Sequence, residues 1–351
     1  MDKIKVLKKI NRLAKEMGRD VNLMEVCGTH TQAISRCGIR KILPKNINLI
    51  TGPGCPVCVT AQKDIDAIIN LALNGIPVAT YGDLLRVPGY FGSLDDAREK
   101  GAKVFDVYSI EDALKLEEKY SGLVFFGLGF ETTTPMTAWA IKKAYQSGRQ
   151  GLTVYSTHKL FLPAMKALLS LGEVKIDGFI DPGHVSVIIG EKPYEELNAA
   201  QVITGFEEED VLIGIFMLLK QIKNNEKKVE NQYIRVVKKD GNKSARKIID
   251  EVFEIGDGNW RGFGVVPGSG LEIKKKYKKF DAKRKYKNIL DKIDFSRSKD
   301  PAGCKCGEVI RGIMNPRGCP MFKKVCTPDN PVGPCMVSVE GACNNYFRES
   351  K

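Results

Sequence analysis

The sequence predicts an α/β fold of two similar parallel-sheet domains facing a cleft, followed by an irregular C-terminal domain. From residue 20 to about 205, short β-prone runs alternate with segments of helical apolar periodicity, the pattern of helices layered on a mainly parallel sheet. The segment Ile110 to Gly122, rich in Glu and Lys and ending in Ser-Gly, divides these runs four and four and suits a crossover between two halves. The last fifty-one residues contain Pro301, Pro316, Pro320, Pro328, Pro331 and Pro334, which leaves little room for regular structure.

In chain order, strands are expected at Val21 to Val26, Asn48 to Thr51, Val78 to Tyr81, Lys103 to Val107, Leu123 to Leu128, Leu152 to Ser156, Gly178 to Ile180 and Ala200 to Thr204. Helices are expected at Ala61 to Leu73, Ala138 to Ala144, Pro163 to Leu171 and Glu208 to Ile222, where apolar residues recur at helical spacing. A lysine-rich stretch, Lys223 to Val229, ends the second half. The expected domains are therefore residues 1–115, 116–228 and 229–351.

At 351 residues and 43% apolar, the chain can bury a core, so its ten cysteines need not be a disulfide scaffold of the secreted kind. The opening Met-Asp-Lys-Ile-Lys lacks the apolar stretch of a leader, and the longest strongly apolar run, Val211 to Leu219, is too short to span a bilayer. A cytoplasmic protein with reduced or metal-bound thiols is expected, with no membrane partner. The net charge is +13, but its lysines gather in segments such as Lys274 to Lys287 with no nucleic-acid-binding signature beside them. A basic face, solvated or meeting an acidic protein, is favoured over nucleic acid.

The cysteines fall into two groups, four between Cys27 and Cys58 and six between Cys304 and Cys343, with none in the 245 residues between. Thiolates are soft metal ligands and redox nucleophiles, so two groups suggest two sites that meet in the fold. Cys27-Gly-Thr-His30 follows an apolar run, which puts Cys27 at the carboxyl end of a strand, where ligands bind in open α/β sheets. His30 is placed to lower the thiol pKa or to share a metal; a structural cysteine with a capping histidine fits the same spacing. Gly52-Pro-Gly-Cys55-Pro-Val-Cys58 runs from a strand into a helix, the setting of a redox or metal-binding dithiol, because free N–H groups at a helix start stabilise the leading thiolate. Cys37 has no such context and reads as structural.

The three histidines, His30, His158 and His184, all follow expected strand ends. So does Gly127-Leu-Gly-Phe-Glu131-Thr132-Thr-Thr-Pro, a turn rich in donors, suited either to a small ligand or to helix capping. It matches neither the dinucleotide fingerprint nor the P-loop, which disfavours nucleotide binding. In the tail, Cys304, Cys306, Cys319, Cys326, Cys335 and Cys343 are separated by one, twelve, six, eight and seven residues. The paired knuckles of zinc sites are absent, whereas thiolates from proline-punctuated loops suit a [4Fe-4S] cluster, with two cysteines in surplus as a neighbouring disulfide.

Together, Met-Glu-Val-Cys27-Gly-Thr-His30, Gly-Pro-Gly-Cys55-Pro-Val-Cys58, Gly-Phe-Glu131-Thr-Thr, Asp-Pro-Gly-His184-Val-Ser and Cys326-Thr-Pro-Asp-Asn-Pro-Val-Gly-Pro-Cys335-Met-Val-Ser-Val-Glu-Gly-Ala-Cys343 resemble the HypD-type [NiFe]-hydrogenase maturation factor, in order and over nearly the whole chain. The resemblance implies a scaffold, working with a HypC-type chaperone and monomeric by itself, on which the Fe(CN)2CO moiety is assembled with cyanide received from a HypE-type donor. It implies Cys27 as iron ligand with His30 beside it and Cys55 and Cys58 as redox dithiol, while Glu131, Thr132, His158 and His184 are candidate cleft residues from their place after expected strand ends. It further implies Cys304, Cys319, Cys326 and Cys343 as [4Fe-4S] ligands, with Cys306 and Cys335 as the adjacent redox pair. Met321-Phe322-Lys323 and Asn344-Asn345-Tyr346 depart from the family's usual residues without touching a cysteine. An iron-sulfur-dependent thiol-disulfide oxidoreductase is the alternative, and it leaves Cys27 and His30 unused.

Overall fold

The computed structural model describes residues 2–349. Two parallel sheets organise it. One has strand order β2-β1-β7-β8-β9, formed by β1 (Val21–Glu25), β2 (Ile47–Thr51), β7 (Gly178–Pro182), β8 (Gln201–Thr204) and β9 (Val229–Asn231). The other has order β4-β3-β5-β6, formed by β3 (Val78–Thr80), β4 (Val104–Asp106), β5 (Leu123–Gly127) and β6 (Leu152–Ser156). All eight expected strands form. The expected boundaries at 115 and 228 do not follow the sheets: residue 115 falls between β4 and β5 of one sheet, and β9 lies beyond residue 228. The five-stranded sheet instead takes strands from both sides of the four-stranded one, because β1 pairs with β7, more than 150 residues away.

Side chains alternate across each sheet, as a strand's two-residue period requires. Leu23, Ile180 and Val202 point outward onto the helices Lys3–Met17 and Glu208–Lys223, which pack on each other. Leu123, Phe125 and Val154 point outward under the helices Thr134–Gln146 and Lys243–Val252. The opposite faces, carrying Met24, Phe179 and Ile203 from one sheet and Val78, Val124 and Phe126 from the other, share one core. That same core takes in the tail through Val309, Ile310, Met336 and Tyr346.

Several elements were not foreseen in the sequence, among them the helices Lys3–Met17 and Lys243–Val252, strand β9, and a hairpin of β10 (Phe253–Trp260) and β11 (Gly264–Ile273). The hairpin lies where glycine and lysine suggested irregular chain. Its glycines serve close packing: a Cβ on Gly258 would lie 2.4 Å from Ser269 Oγ, and one on Gly270 would lie 2.7 Å from the Asp257 carbonyl. Its tip reaches the first cysteine group, where Arg261 N donates to the Val59 carbonyl at 2.9 Å.

Candidate thiol and metal site

Register fixes which residues meet at the sheet edge. Glu25 lies opposite Thr51 and Ile180, and Pro182 lies opposite Thr204. The loops carrying Cys27, Cys55, His184 and Phe206 therefore leave the five-stranded sheet side by side at its carboxyl end, the ligand-binding edge of such sheets.

Cys27 stands at the N-cap of the helix Gly28–Arg36 in an extended conformation, and the backbone N–H groups of Thr29 and His30 near its sulfur favour the thiolate. Burial nevertheless pushes the thiol up to about 12, with the nearby Glu340 and Glu25 carboxylates adding to the effect. The expected lowering by His30 is thus reversed, because the histidine offers Cys27 its backbone and turns its ring away. Nε2 of that ring lies 3.0 Å from the Gly205 carbonyl and 2.8 Å from Thr204 Oγ1. The ring leans on Phe206, which stacks on His184 with centroids 4.0 Å apart. Burial drops His30 to about 4, so it is neutral near physiological pH. Beneath Cys27, Glu25 accepts from the Cys27 amide at 3.2 Å and from Thr31 Oγ1 at 2.6 Å, and burial raises its carboxyl to about 7.

The second motif interlocks with the first. Gly28 N donates to the Gly54 carbonyl at 3.1 Å, and a Cβ on Gly54 would lie 2.2 Å from the Cys27 nitrogen, so only glycine lets the two turns touch. Cys55 then caps the short helix Pro56–Val59, its sulfur accepting from Cys58 N at 3.2 Å. Cys55 and Cys58 are joined as a disulfide with Cα atoms 5.2 Å apart, both buried.

The tail folds back onto this disulfide. Its short helices Cys306–Ile310 and Pro334–Val337 both pack on Pro56–Val59. Polar contacts fasten it elsewhere: Thr29 Oγ1 donates to Glu340 at 2.9 Å, Ser338 Oγ to Asp83 at 2.8 Å, and Ser35 Oγ to the Asn345 carbonyl at 3.0 Å. Arg261, fully buried, donates to Gln62 at 3.1 Å, pairs with Asp300 and bears electrostatically on Cys304.

Within the tail the thiols pool. The Cys306 thiol lies against those of Cys304, Cys335 and Cys343, and the Cys335 thiol against that of Cys343. Cys343 is held low by the neighbouring Cys306 and Cys335 thiols, while Cys335 is pushed up by Cys306 and Cys343 and by burial. Cys326 sulfur accepts from Val332 N at 3.4 Å and from Gly333 N. Lys305 feels both Cys304 and Cys319, which places the sixth, half-buried thiol beside the same lysine. A Cβ on Gly333 would fall 2.6 Å from Cys304 Sγ and 2.8 Å from Cys306 Sγ, so the chain leaves that space to sulfur. Among the described residues no three His, Cys, Asp or Glu side chains converge on a single-ion site. An all-thiol pool fed by backbone N–H groups fits the donor chemistry of an iron-sulfur cluster.

The four-stranded sheet presents a different edge. Glu131 follows β5 and its carboxylate accepts from Phe161 N at 3.1 Å, capping the helix Phe161–Leu171; burial raises it to about 7. Thr132 beside it is half-buried. His158 sits under the hairpin, Nε2 3.0 Å from Thr137 Oγ1 and its ring edge-on to Phe253, with burial lowering it to about 3. His158 is thus packed apart from His30 and His184, and Cys37 ends the helix Gly28–Arg36 half-buried. Glu25, Glu340 and Arg261 escaped the sequence reading. Only Glu25, a charge inside an apolar strand, gave a visible signal.

The arrangement matches a known family. The family model described as "HypD: Hydrogenase formation hypA family" matches residues 3–350. The chain belongs to the HypD family of hydrogenase maturation factors. It is similar to a putative hydrogenase expression/formation protein of Methanocaldococcus jannaschii, 46% identical with 98% of this chain and 96% of the relative covered. It is also similar to hydrogenase maturation factor HypD of Rhizobium leguminosarum bv. viciae, 43% identical over 97% and 91% of the two chains. HypD of Cupriavidus necator is 42% identical over 94% and 90%. The HypD motifs at Cys27, Cys55 and Cys326 to Cys343 are the segments that meet in the fold, and among the described residues no helix is long and apolar enough to cross a membrane.

Proposed function

We propose that this chain is the scaffold on which, with a HypC-type chaperone, the Fe(CN)2CO moiety of a [NiFe]-hydrogenase is assembled, cyanide coming from a HypE-type donor. The observation that carries the reading is the position of the Cys55–Cys58 helix, against Cys27 on one side and the tail's thiols on the other. Cys27 anchors the cargo iron together with a cysteine of the chaperone, thiolates being suitable anchors for low-spin iron with strong-field ligands. Its buried thiol keeps its proton until a cation replaces it, and Glu25, which titrates near neutrality two residues away, is placed to receive that proton.

Cyanide leaves a thiocyanate when its sulfur–carbon bond takes up two electrons. Reduced Cys55 and Cys58 supply that pair and close to the disulfide; one of their protons goes to the donor's sulfur and the other is released as cyanide passes to iron. Cys304, Cys319, Cys326 and Cys343 would hold a [4Fe-4S] cluster, with Cys306 and Cys335 as the adjoining pair. When bound, the cluster would relay electrons one at a time from an external low-potential electron donor, two electrons with two protons being needed to reopen the disulfide. Such thiol chemistry suits the cytoplasm.

Metal analysis and infrared spectroscopy of anaerobically purified protein, alone and with its chaperone, test the proposal. About four irons in the isolated chain, and a further iron with cyanide and carbonyl stretches in the complex only, are expected. Zinc in place of iron, or a cluster with no diatomic stretches under any co-expression, would overturn it and leave a thiol-disulfide oxidoreductase.

A further inference from the structure

A second cavity, of about 450 Å³, opens between the end of β6, the first turn of the helix Gln62–Leu73 and the hairpin. No cysteine lines it. Its inner wall carries Lys159, only 3% exposed, a burial that lysines almost never show unless paired. The Lys159 ammonium donates to the Thr157 carbonyl at 3.3 Å, lies 5.5 Å from the centre of the Trp260 ring, and forms no ion pair among the described residues. Lys63 and Lys283 stand at the exposed mouth, also without ion pairs among those residues.

Among the described residues no carboxylate of the same cavity comes within ion-pair distance of these lysines. Asp64 accepts from the Tyr155 hydroxyl at 3.1 Å, Asp257 accepts from Gly268 N at 3.0 Å, and Glu272 is exposed. Burial pushes Lys159 down to about 8, Lys283 and Lys63 adding to the effect while Asp64 opposes it. A buried ammonium thus retains unused donors inside a cavity with two more cations at its rim, an arrangement that an incoming anion relieves.

We propose that this cavity binds a small oxyanion, a phosphoryl or carboxylate group seated on Lys159 and gated by Lys63 and Lys283. The site is separate from the thiol chemistry and holds whether or not the assembly role does. Trp260 is the natural reporter, since the chain has only one other tryptophan, Trp139. A Trp139→Phe protein is titrated with inorganic phosphate and with acetate at constant ionic strength, with chloride as control. Saturable change in Trp260 emission with one of the two oxyanions, absent with chloride, is expected, and the responding anion identifies the class. In the same background Lys159→Met should weaken binding at least about ten-fold, the effect of losing one charge-assisted contact. Lys159→Arg should retain it. Lys283→Ala, at an exposed position, should weaken it several-fold and carries the test if Lys159→Met does not fold. No saturable response to either oxyanion, or a response that both substitutions leave unchanged, would overturn the proposal.

Discussion

The two cysteine groups hold their places by opposite means. Cys27, Cys55 and Cys58 sit where regular structure puts them: paired strands end in register and the turns lock through backbone contacts between Gly28, Gly54 and Cys27. The six tail cysteines hang on short helices and turns, where the sulfurs of Cys304, Cys306, Cys335 and Cys343 touch one another, fastened to the sheets by Thr29, Ser35, Asp83 and Arg261. In the first group the fold positions the sulfur. In the second, short irregular segments are positioned by sulfur contacts and a few polar clasps together with the share of the common core taken by Val309, Ile310, Met336 and Tyr346.

The same substitution should therefore act differently in the two regions. Gly54→Ala drives a methyl into the Cys27 backbone and should cost about 4 kcal/mol, the range of severe core strain, seen as a large fall in melting temperature with or without iron. A melting temperature within a degree of wild type would show that the interlock is not rigid.

Ionisation should likewise report on the sheets rather than the tail. Glu131 keeps its proton up to about pH 7 in the folded chain and loses it near its ordinary 4.5 when unfolded. The wild type consequently loses stability as pH rises from about 4.5 to 7, and the loss is complete above 7. Glu131→Gln keeps an acceptor for Phe161 N and removes the charge. Its stability relative to wild type should grow by up to about 3 kcal/mol between pH 5 and 8. Denaturation at both pH values checks this, and a gap that does not widen would refute it.

Arg261→Gln tests the clasp. Removing the guanidinium strips Gln62 and the part-exposed Asp300 of their partner, at about 2 kcal/mol. Hydrogen exchange should quicken in residues 300 to 345 while β1 and β7 stay protected; uniform quickening would mean that tail and sheets unfold as one unit. The smallest effect on folding belongs to Gly333→Ala, whose methyl meets movable sulfurs instead of backbone. Less than about 1 kcal/mol is expected without metal, together with reduced iron content after reconstitution. Full iron content would remove the cradle reading of Gly333.

The comparison also explains what the sequence disclosed. All eight strands from Val21 to Thr204 were legible as short apolar runs between turn residues, and the cysteine motifs announced themselves by spacing. The helix Lys3–Met17 was not, because its stripe of Val6, Ile10, Leu13 and Ala14 is diluted by lysines. β9 is a half-buried edge strand of three residues, too short for any periodicity to show. The hairpin was masked by glycines that suggest loops but here admit close packing. Interleaving of the sheets was hidden because pairing of β1 with β7 is a long-range choice that leaves no local mark. Glu340 and Arg261 act through burial and through neighbours some 300 and 200 residues away, Thr29 and Gln62. His30 was legible as a residue but not in its orientation, which depends on Thr204 and Gly205 of a distant strand end.

The central claim is that the tail's thiols and the Cys55–Cys58 pair form one electron path. It is tested by reducing the iron-loaded protein anaerobically with stoichiometric dithionite and trapping free thiols at Cys55 and Cys58 by alkylation and mass spectrometry. A Cys326→Ala protein, with one expected cluster ligand removed, serves as the comparison. Rapid appearance of both thiols in the loaded wild type, and their slow appearance in the variant, is the predicted result. Equal rates in the two proteins would contradict the path and separate the two cysteine groups in function.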